Sequence, residues 1–221
     1  MSANRKGRAD EHRNAGSTLL SEAREVELAR RMIRCGARLQ VLVAETSLSY
    51  ERLSRLYHEL RGKSPSKGML PFSETWYLGW KANLHASFFY SFYESLERNT
   101  PDMRGIDRLI TAYEHYEDSP LAMDDRNSPK PVLSFTRAWM LARFVKRART
   151  LRMDTCAGCG IGFLAMNTGA SASASRYCAV CHPPPRALPA LRAGSIDRQG
   201  TGAAGTRPYS APEGLSAEGV S

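Results

Sequence analysis

Four of the five cysteines lie in one short stretch, residues 156–182, which reads CAGCGIGFLAMNTGASASASRYCAVCH. They form two C-x-x-C pairs, Cys156 with Cys159 and Cys178 with Cys181, separated by 18 residues. Two intervening residues let both sulfurs of a pair turn toward one ion, and two such pairs complete a tetrahedral thiolate shell with Zn–S bonds of about 2.3 Å. We therefore predict one structural Zn²⁺ per chain, held by these four cysteines.

Other uses of the cysteines fit the chain less well. The N-terminal residues carry no apolar signal segment, so we expect a reducing cytoplasm, where structural disulfides are uncommon. CAVCH matches the haem-attachment pattern, but that pattern needs export, and a thioredoxin-like pair needs a βαβ context that is absent. A four-cysteine iron–sulfur cluster stays compatible with the spacing. His182 is able in principle to replace Cys181 as a ligand.

The surroundings of the four cysteines indicate a structural rather than a catalytic metal. Four protein ligands leave no open coordination position. The insert between the pairs is rich in Ala, Ser and Gly, so only the metal would make this small lobe fold. Gly158 and Gly160 suit the tight turn of the first pair. Cys35 stands apart, near the end of a predicted helix, and is predicted to be a small buried residue.

The elements that must position this site are predicted to be helices. Apolar residues recur at three- and four-residue spacings before the cysteines, and no strand is predicted there. Ser49 is a plausible N-cap and Gly62 a plausible end for one helix. With the preceding short helix, it forms a helix-turn-helix candidate. Helices are predicted over about 21–36, 37–46, 50–61, 74–99, 105–118 and 131–151.

The predicted fold is mainly α: a helical domain containing a helix-turn-helix-like hairpin, then a small four-cysteine zinc-binding lobe and a disordered C-terminal tail. The tail is expected because residues 183–221 hold six Pro and six Gly, which is too little apolar surface to offset the ordering entropy. The predicted boundaries are a disordered polar extension at 1–18, the helical domain at 19–153, the lobe at 154–186 and the tail at 187–221.

The charge distribution favours an anionic partner. The formal net charge is +9, from 31 Lys and Arg against 22 Asp and Glu, and residues 130–152 contain no acid. Residues 102–125 differ, with seven acids and two arginines. Cationic side chains neutralise nucleic-acid phosphates and release counterions. The residues predicted to contact DNA are Arg52, Arg55, Arg143, Lys146, Arg147, Arg149, Arg152 and Arg186.

Two other classes of protein are disfavoured. The five histidines are scattered singly over different elements, so no nucleophile–base pair is predicted, and a lone His85 among apolar residues is expected to be a core residue. We predict that the chain is not an enzyme. No run approaches the 18 apolar residues of a membrane span, so no membrane partner is expected. A redox enzyme is therefore the weaker alternative, and a zinc-ribbon RNA-associated protein is the stronger one.

Three stretches resemble the FlhC family of flagellar transcriptional activators. They are residues 36–80, which include GKSPSKGMLPFS, then LSFTRAWMLARFV, and CAGC…CAVCHPPPRA, so that the resemblance covers roughly residues 21–186. It implies a mainly helical protein with zinc on Cys156, Cys159, Cys178 and Cys181. The sequence departs from the family at both ends. It has a polar N-terminal extension, and its tail after the lobe is less densely basic.

The resemblance also implies a function and partners. Members of the family associate with FlhD in a heterohexamer of four FlhD and two FlhC chains, bind and bend promoter DNA of flagellar operons, and recruit RNA polymerase. We therefore expect a cytoplasmic DNA-binding transcriptional activator subunit that works with an FlhD-type partner, with the exposed aromatics and leucines of its N-terminal helices forming the partner interface. The alternative is a zinc-ribbon RNA-associated protein without promoter specificity.

Overall fold

The computed structural model describes residues 18–66, 68–122, 130–167 and 177–185. The described residues up to Pro184 belong to one compact unit. The predicted tail and Arg186 lie outside the described residues, as does the predicted N-terminal extension except Thr18. Among the described helices, none combines the length and apolar character needed to cross a bilayer.

Helices make up most of the described chain, so the prediction of a mainly α fold is confirmed. The caps agree with the sequence signals, because the Ser49 hydroxyl accepts a hydrogen bond from Arg52 N at 3.4 Å and Gly62 ends its helix at a φ of 63°. The helices are α1 Leu19–Arg34, α2 Leu39–Glu45, α3 Tyr50–Arg61, α4 Trp80–Asn99, α5 Gly105–Glu117 and α6 Phe135–Arg143.

The central helix is α4, and it is shorter than the predicted helix over 74–99. A separate 3-10 turn, Thr75–Leu78, precedes it and ends at Gly79, where the backbone is extended. α4 packs against α5, α6 and the small sheet. Its aromatic residues Phe89, Tyr90 and Tyr93 are buried in the main core, so α4 is the element around which the fold is organised.

His85 on α4 is a core residue with a hydrogen-bond partner, as predicted. It is 2% exposed, and its Nδ1 lies 2.8 Å from the Tyr116 hydroxyl. That hydroxyl also accepts a hydrogen bond from Leu133 N at 3.2 Å, so it links His85 to the backbone before α6. The arrangement satisfies buried polar groups and needs no catalytic explanation.

The predicted helix over 131–151 is wrong at both ends. α6 begins at Phe135, after Ser134, whose hydroxyl accepts a hydrogen bond from Arg137 N at 3.4 Å. α6 ends at Arg143 and continues as a single π-helical turn, Phe144–Ala148. Arg149 then adopts a left-handed conformation with a φ of 52°, which reverses the chain. Local helix propensity favours continuation through this arginine-rich segment, but the chain gains a strand pairing by leaving the helix.

The prediction that no strand precedes the cysteines is also wrong. Strand β1, Leu151–Thr155, pairs antiparallel with β2, Gly162–Met166, and the register places Leu151 opposite Met166 and Thr155 opposite Gly162. β1 begins before the predicted domain boundary at residue 154. The sequence between the two strands holds the first cysteine pair, so this hairpin is what positions that pair.

Candidate metal centre and basic surface

The first cysteine pair lies in the tight turn of the β hairpin. Cys156 follows β1 directly, and its N–H donates to Ile161 O at 3.0 Å, while Gly160 N donates to Cys156 O at 2.9 Å. Gly160 has a φ of 72°, which favours glycine. A Cβ on Gly158 would lie 3.3 Å from the Cys181 sulfur. The two glycines therefore let the turn close against the second pair, as predicted.

The four sulfurs of Cys156, Cys159, Cys178 and Cys181 converge on one point. All of them lie within 4.8 Å of one another, and the sulfurs of Cys159 and Cys178 are 3.7 Å apart. A regular tetrahedron with metal–sulfur bonds of about 2.3 Å has sulfurs about 3.8 Å apart. The donor set therefore fits a tetrahedrally coordinated metal ion. His182 is not part of this group in the described chain.

Backbone amides point at two of the sulfurs. The Cys156 sulfur accepts hydrogen bonds from Cys178 N at 3.2 Å and Gly158 N at 3.4 Å, and the Cys178 sulfur accepts one from Cys181 N at 3.4 Å. The Cys178 N–H is the main reason that the pKa of Cys156 falls to about 6. Amide donors of this kind stabilise thiolates, which are the form that binds metal.

Close thiols also oppose one another's ionisation. The neighbouring Cys159 thiol is the main cause that raises the pKa of Cys181 to about 12. Four thiolates within 4.8 Å repel strongly unless a cation lies between them. Packing four such groups together without an ion is expected to lower the pKa of one thiol, here Cys156, and to raise that of another, here Cys181. The cluster is therefore built for a soft cation.

Side chains of α4 attach the hairpin to the helical body. Asn83 Nδ2 donates to Leu164 O at 2.8 Å, and Leu164 N donates to the Ser87 hydroxyl at 2.9 Å. Both α4 residues are buried. Their side chains hydrogen-bond the backbone N–H and C=O of Leu164 at the outer edge of β2, as a third strand would. Trp80 Nε1 donates to Ala179 O at 2.9 Å and ties the second pair to the start of α4.

These anchoring residues were not singled out from the sequence. Asn83 and Ser87 are four residues apart on α4, and polar residues at this spacing share one side of a helix. That signal was available, but it does not reveal which strand edge the two side chains meet.

Basic residues cluster at the end of α6 and in the π-helical turn that follows it. Arg147 and Arg149 are exposed, and neither has an ion pair within the described ranges. The Arg143 guanidinium lies over the Trp139 ring, 4.4 Å from its centroid. Lys146 pairs with the Glu97 carboxylate. Arg147 and Arg149 are thus exposed predicted DNA contacts without an ion pair in the described chain, and Arg55 on α3 is a third.

The other predicted DNA contacts lie elsewhere or are already engaged. Arg152 on β1 donates two hydrogen bonds to the Asp154 carboxylate, at 2.7 and 2.9 Å. On the exposed side of α3, Arg52 pairs with Glu22 of α1. Arg55 lies on that side with Tyr50, and both border a shallow concavity. The structure therefore separates the described predicted contacts into an α3 surface, an α6 surface and Arg152 on β1.

Comparison with known proteins identifies the family of the chain. Its family model, described as flagellar transcriptional activator (FlhC), matches residues 15–193. A flagellar transcriptional regulator FlhC from Verminephrobacter eiseniae is 45% identical over 179 residues, 81% of this chain and 92% of the relative. Those from Gallionella capsiferriformans and Enterobacter cloacae are 44% and 43% identical, covering 77% and 85% of this chain and 90% and 94% of the relatives.

The matches confirm two predictions made from the sequence, the resemblance itself and the absence of enzymatic activity, because the family consists of transcriptional regulators. They extend over both the helical body and the cysteine hairpin. The chain belongs to the FlhC family of flagellar transcriptional activators.

Proposed function

We propose that this chain is the zinc-binding, DNA-contacting subunit of a cytoplasmic transcription activator. With an FlhD-type partner it binds promoters of flagellar operons and recruits RNA polymerase. The proposed assembly is a heterohexamer of four FlhD-type and two FlhC-type chains. The family match supports a role in activating flagellar transcription. The geometry at the end of α6 supports the assignment of DNA contacts.

The observation that carries the proposal is that the basic segment leads directly along the chain into the metal centre. Arg147 and Arg149 precede β1, and β1 leads directly into Cys156. A metal held by both cysteine pairs holds the hairpin in place, and the hairpin in turn fixes where the arginines point. Arginines held on a rigid support contact phosphates at a lower entropic cost than mobile ones.

Zinc is the metal that we propose for the cysteine cluster, one ion per chain. Four thiolates in tetrahedral arrangement select Zn²⁺ or an iron–sulfur centre, and the sulfur–sulfur distance of 3.7 Å fits a single ion with bonds of about 2.3 Å. When bound, the ion supplies structural cross-linking only. The residues that would hold it are Cys156, Cys159, Cys178 and Cys181.

The proposed partner surface lies on the N-terminal helices. Leu19 and Leu20 at the start of α1 are 86% and 73% exposed, and Val43 on α2 and Tyr50 on α3 are also exposed. Large apolar side chains in one region of the surface are typical of a binding interface. The FlhD-type chain would cover them, which leaves the α6 surface available for DNA.

The test is binding to duplex flagellar-promoter DNA, followed by fluorescence anisotropy across a salt series, with and without an FlhD-type partner. We expect specific, salt-dependent binding that the partner tightens, with a slope that counts the phosphate contacts. A scrambled duplex is the control for specificity. Equal binding to any duplex or to single-stranded RNA, whether or not the partner is present, contradicts the proposal and favours the RNA-associated alternative.

A further inference from the structure

A concave region between the start of α5 and the end of α6, here called the α5–α6 cleft, has a volume of about 380 Å³. Most of the charged side chains in its lining are cationic. The charged side chains that line it are Arg104, Arg108, Arg143, Lys146, Arg147 and one carboxylate, Glu45.

The two walls of the cleft come from segments of opposite overall charge. Arg143, Lys146 and Arg147 belong to the basic segment that was predicted to contact DNA. Arg104 and Arg108 are the two arginines of residues 102–125, a segment dominated by acids. The fold brings the basic side chains of both segments to one place, so the second wall of the cleft was not foreseeable from charge runs along the sequence.

Some of these charges already serve the fold. The Glu45 carboxylate accepts a hydrogen bond from Trp139 Nε1 at 2.7 Å, which fixes the ring beneath Arg143. Lys146 pairs with Glu97, which lies behind it on α4. Arg108 is largely buried and donates to Thr100 O at 2.9 Å. These contacts hold the walls in place.

Within the described chain, Arg143 and Arg147 have no ion pair, and Arg104 has two long ion pairs that are not hydrogen bonds. Arg147 is exposed and has no ion pair with any residue that the structure describes. The Arg104 side chain is 54% exposed, and its acidic neighbours Glu25 and Asp107 are 3.6 and 3.9 Å from it. Like charges that converge on one cleft repel one another, and an anion between them removes that cost.

We propose that the α5–α6 cleft is a phosphate-binding site, in which Arg104 on one wall and Arg147 on the other bind the phosphate oxygens. Guanidinium groups match phosphate because their planar N–H donors pair with two oxygens at once. The phosphate is carried either by the backbone of duplex DNA or by a free phosphorylated ligand. In either case the cleft is expected to bind a free phosphate compound in the absence of DNA, so the proposal is tested separately from promoter binding.

The first experiment titrates inorganic pyrophosphate into the full metal-loaded chain by calorimetry at constant ionic strength. The variants are Arg104→Gln, Arg147→Gln and the two combined. We expect each single change to weaken binding about tenfold, since a charge-assisted contact is lost. The matched control is Arg98→Gln, which removes the same charge from an exposed α4 residue paired with Glu94 outside the cleft.

The second experiment identifies where the phosphate comes from. Labelled promoter duplex is bound to the partner complex, and pyrophosphate is added at constant ionic strength. Displacement from the wild type and the control, together with weaker duplex binding by the two cleft variants, assigns the site to the DNA backbone. Pyrophosphate binding that leaves the duplex bound assigns it to a free phosphorylated ligand.

The outcomes separate this inference from the proposed function. If the Arg104 and Arg147 variants bind both pyrophosphate and duplex as the Arg98 control does, the cleft proposal and the assignment of Arg147 to DNA are wrong, while promoter binding by the chain stands. If no variant and no wild type binds the duplex, yet pyrophosphate binding depends on Arg104 and Arg147, the promoter proposal fails and the cleft proposal stands.

Discussion

At the scale of single residues, Cys178 joins the two halves of the metal centre. Its sulfur lies 3.7 Å from that of Cys159, and its N–H donates to the Cys156 sulfur. We expect Cys178→Ser to lower the bound zinc from one equivalent toward zero, because a hydroxyl is a poor replacement for a thiolate ligand. Metal content by mass spectrometry of the purified chain measures this.

Cys35 provides the matched control for that change. It is buried between helices, 8% exposed, and burial raises the pKa of its thiol to about 12, so it behaves as a small apolar residue. Cys35→Ala is expected to keep one equivalent of zinc. Full metal content in the Cys178 variant would show that the four-sulfur shell is not the metal site.

Arg149 is a residue whose conformation costs stability. Its φ of 52° suits glycine, and a left-handed non-glycine residue costs about 1–2 kcal/mol. We expect Arg149→Gly to raise the free energy of unfolding by about 1 kcal/mol, since glycine's greater freedom in the unfolded chain offsets part of the gain. Urea unfolding measures this.

The same substitution is expected to weaken promoter binding, because the exposed guanidinium is lost. The salt slope should fall by about 1 if Arg149 contacts one phosphate. Arg149→Ala is the matched control: it loses the same charge and keeps the strain, so it should weaken binding without gaining stability. If Arg149→Gly stabilises the chain but leaves its affinity for promoter DNA unchanged, Arg149 is not a DNA contact.

At the scale of elements, α4 takes the place of a third strand. Asn83 donates to Tyr77 O at 3.0 Å and to Leu164 O at 2.8 Å, and it is 7% exposed. Asn83→Ala leaves two carbonyls without this donor in a buried place. We expect a loss of about 2–3 kcal/mol in the free energy of unfolding, measured by urea denaturation.

The control for that element is Asn99→Ala. Asn99 lies at the exposed end of the same helix, where its side chain donates to the Ser95 hydroxyl at 3.2 Å, and the change should stay within about 0.5 kcal/mol. If Asn83→Ala changes the free energy of unfolding by a similarly small amount, the hydrogen bond from α4 to the edge of β2 does not stabilise the hairpin.

At the scale of the whole molecule, one face of the hairpin adds Leu151 and Leu164 to the main core, and the cysteine side of the hairpin has a small core of its own. Cys156, Phe163, Ala165 and Cys178 form a small cluster of their own, separate from the main core. Removing the metal with a chelator should therefore disorder the cysteine region while most of the helical circular dichroism at 222 nm remains.

Trp80 should report that change, because its Nε1 donates to Ala179 O beside the second cysteine pair. Chelation is expected to shift its fluorescence to longer wavelength as the ring becomes more exposed. The shift should disappear in Trp80→Phe, because the two remaining tryptophans, Trp76 and Trp139, lie in the helical body. Loss of the helical signal on chelation would show instead that the metal holds the entire fold.

Local signals were enough to predict much of this molecule. The cap at Ser49 and the left-handed glycine at Gly62 marked α3 to the residue, because both depend on hydrogen bonds and dihedral angles within a few residues. The C-x-x-C spacing likewise predicted the four-sulfur cluster, since two short turns bring each pair of sulfurs together without any long-range information.

By itself the sequence determined the mainly helical class, the cysteine cluster and the resemblance to the FlhC family. Only the tertiary structure decided that the chain leaves its helix at Arg149 to form β1, that Asn83 holds the edge of β2, and that Arg104 and Arg147 line one cleft. The physical reason is that these outcomes depend on partners distant in sequence. Tertiary packing decides which strands pair, which side chains hydrogen-bond a strand edge and which charges meet in one cleft. Periodicity and composition do not contain that information.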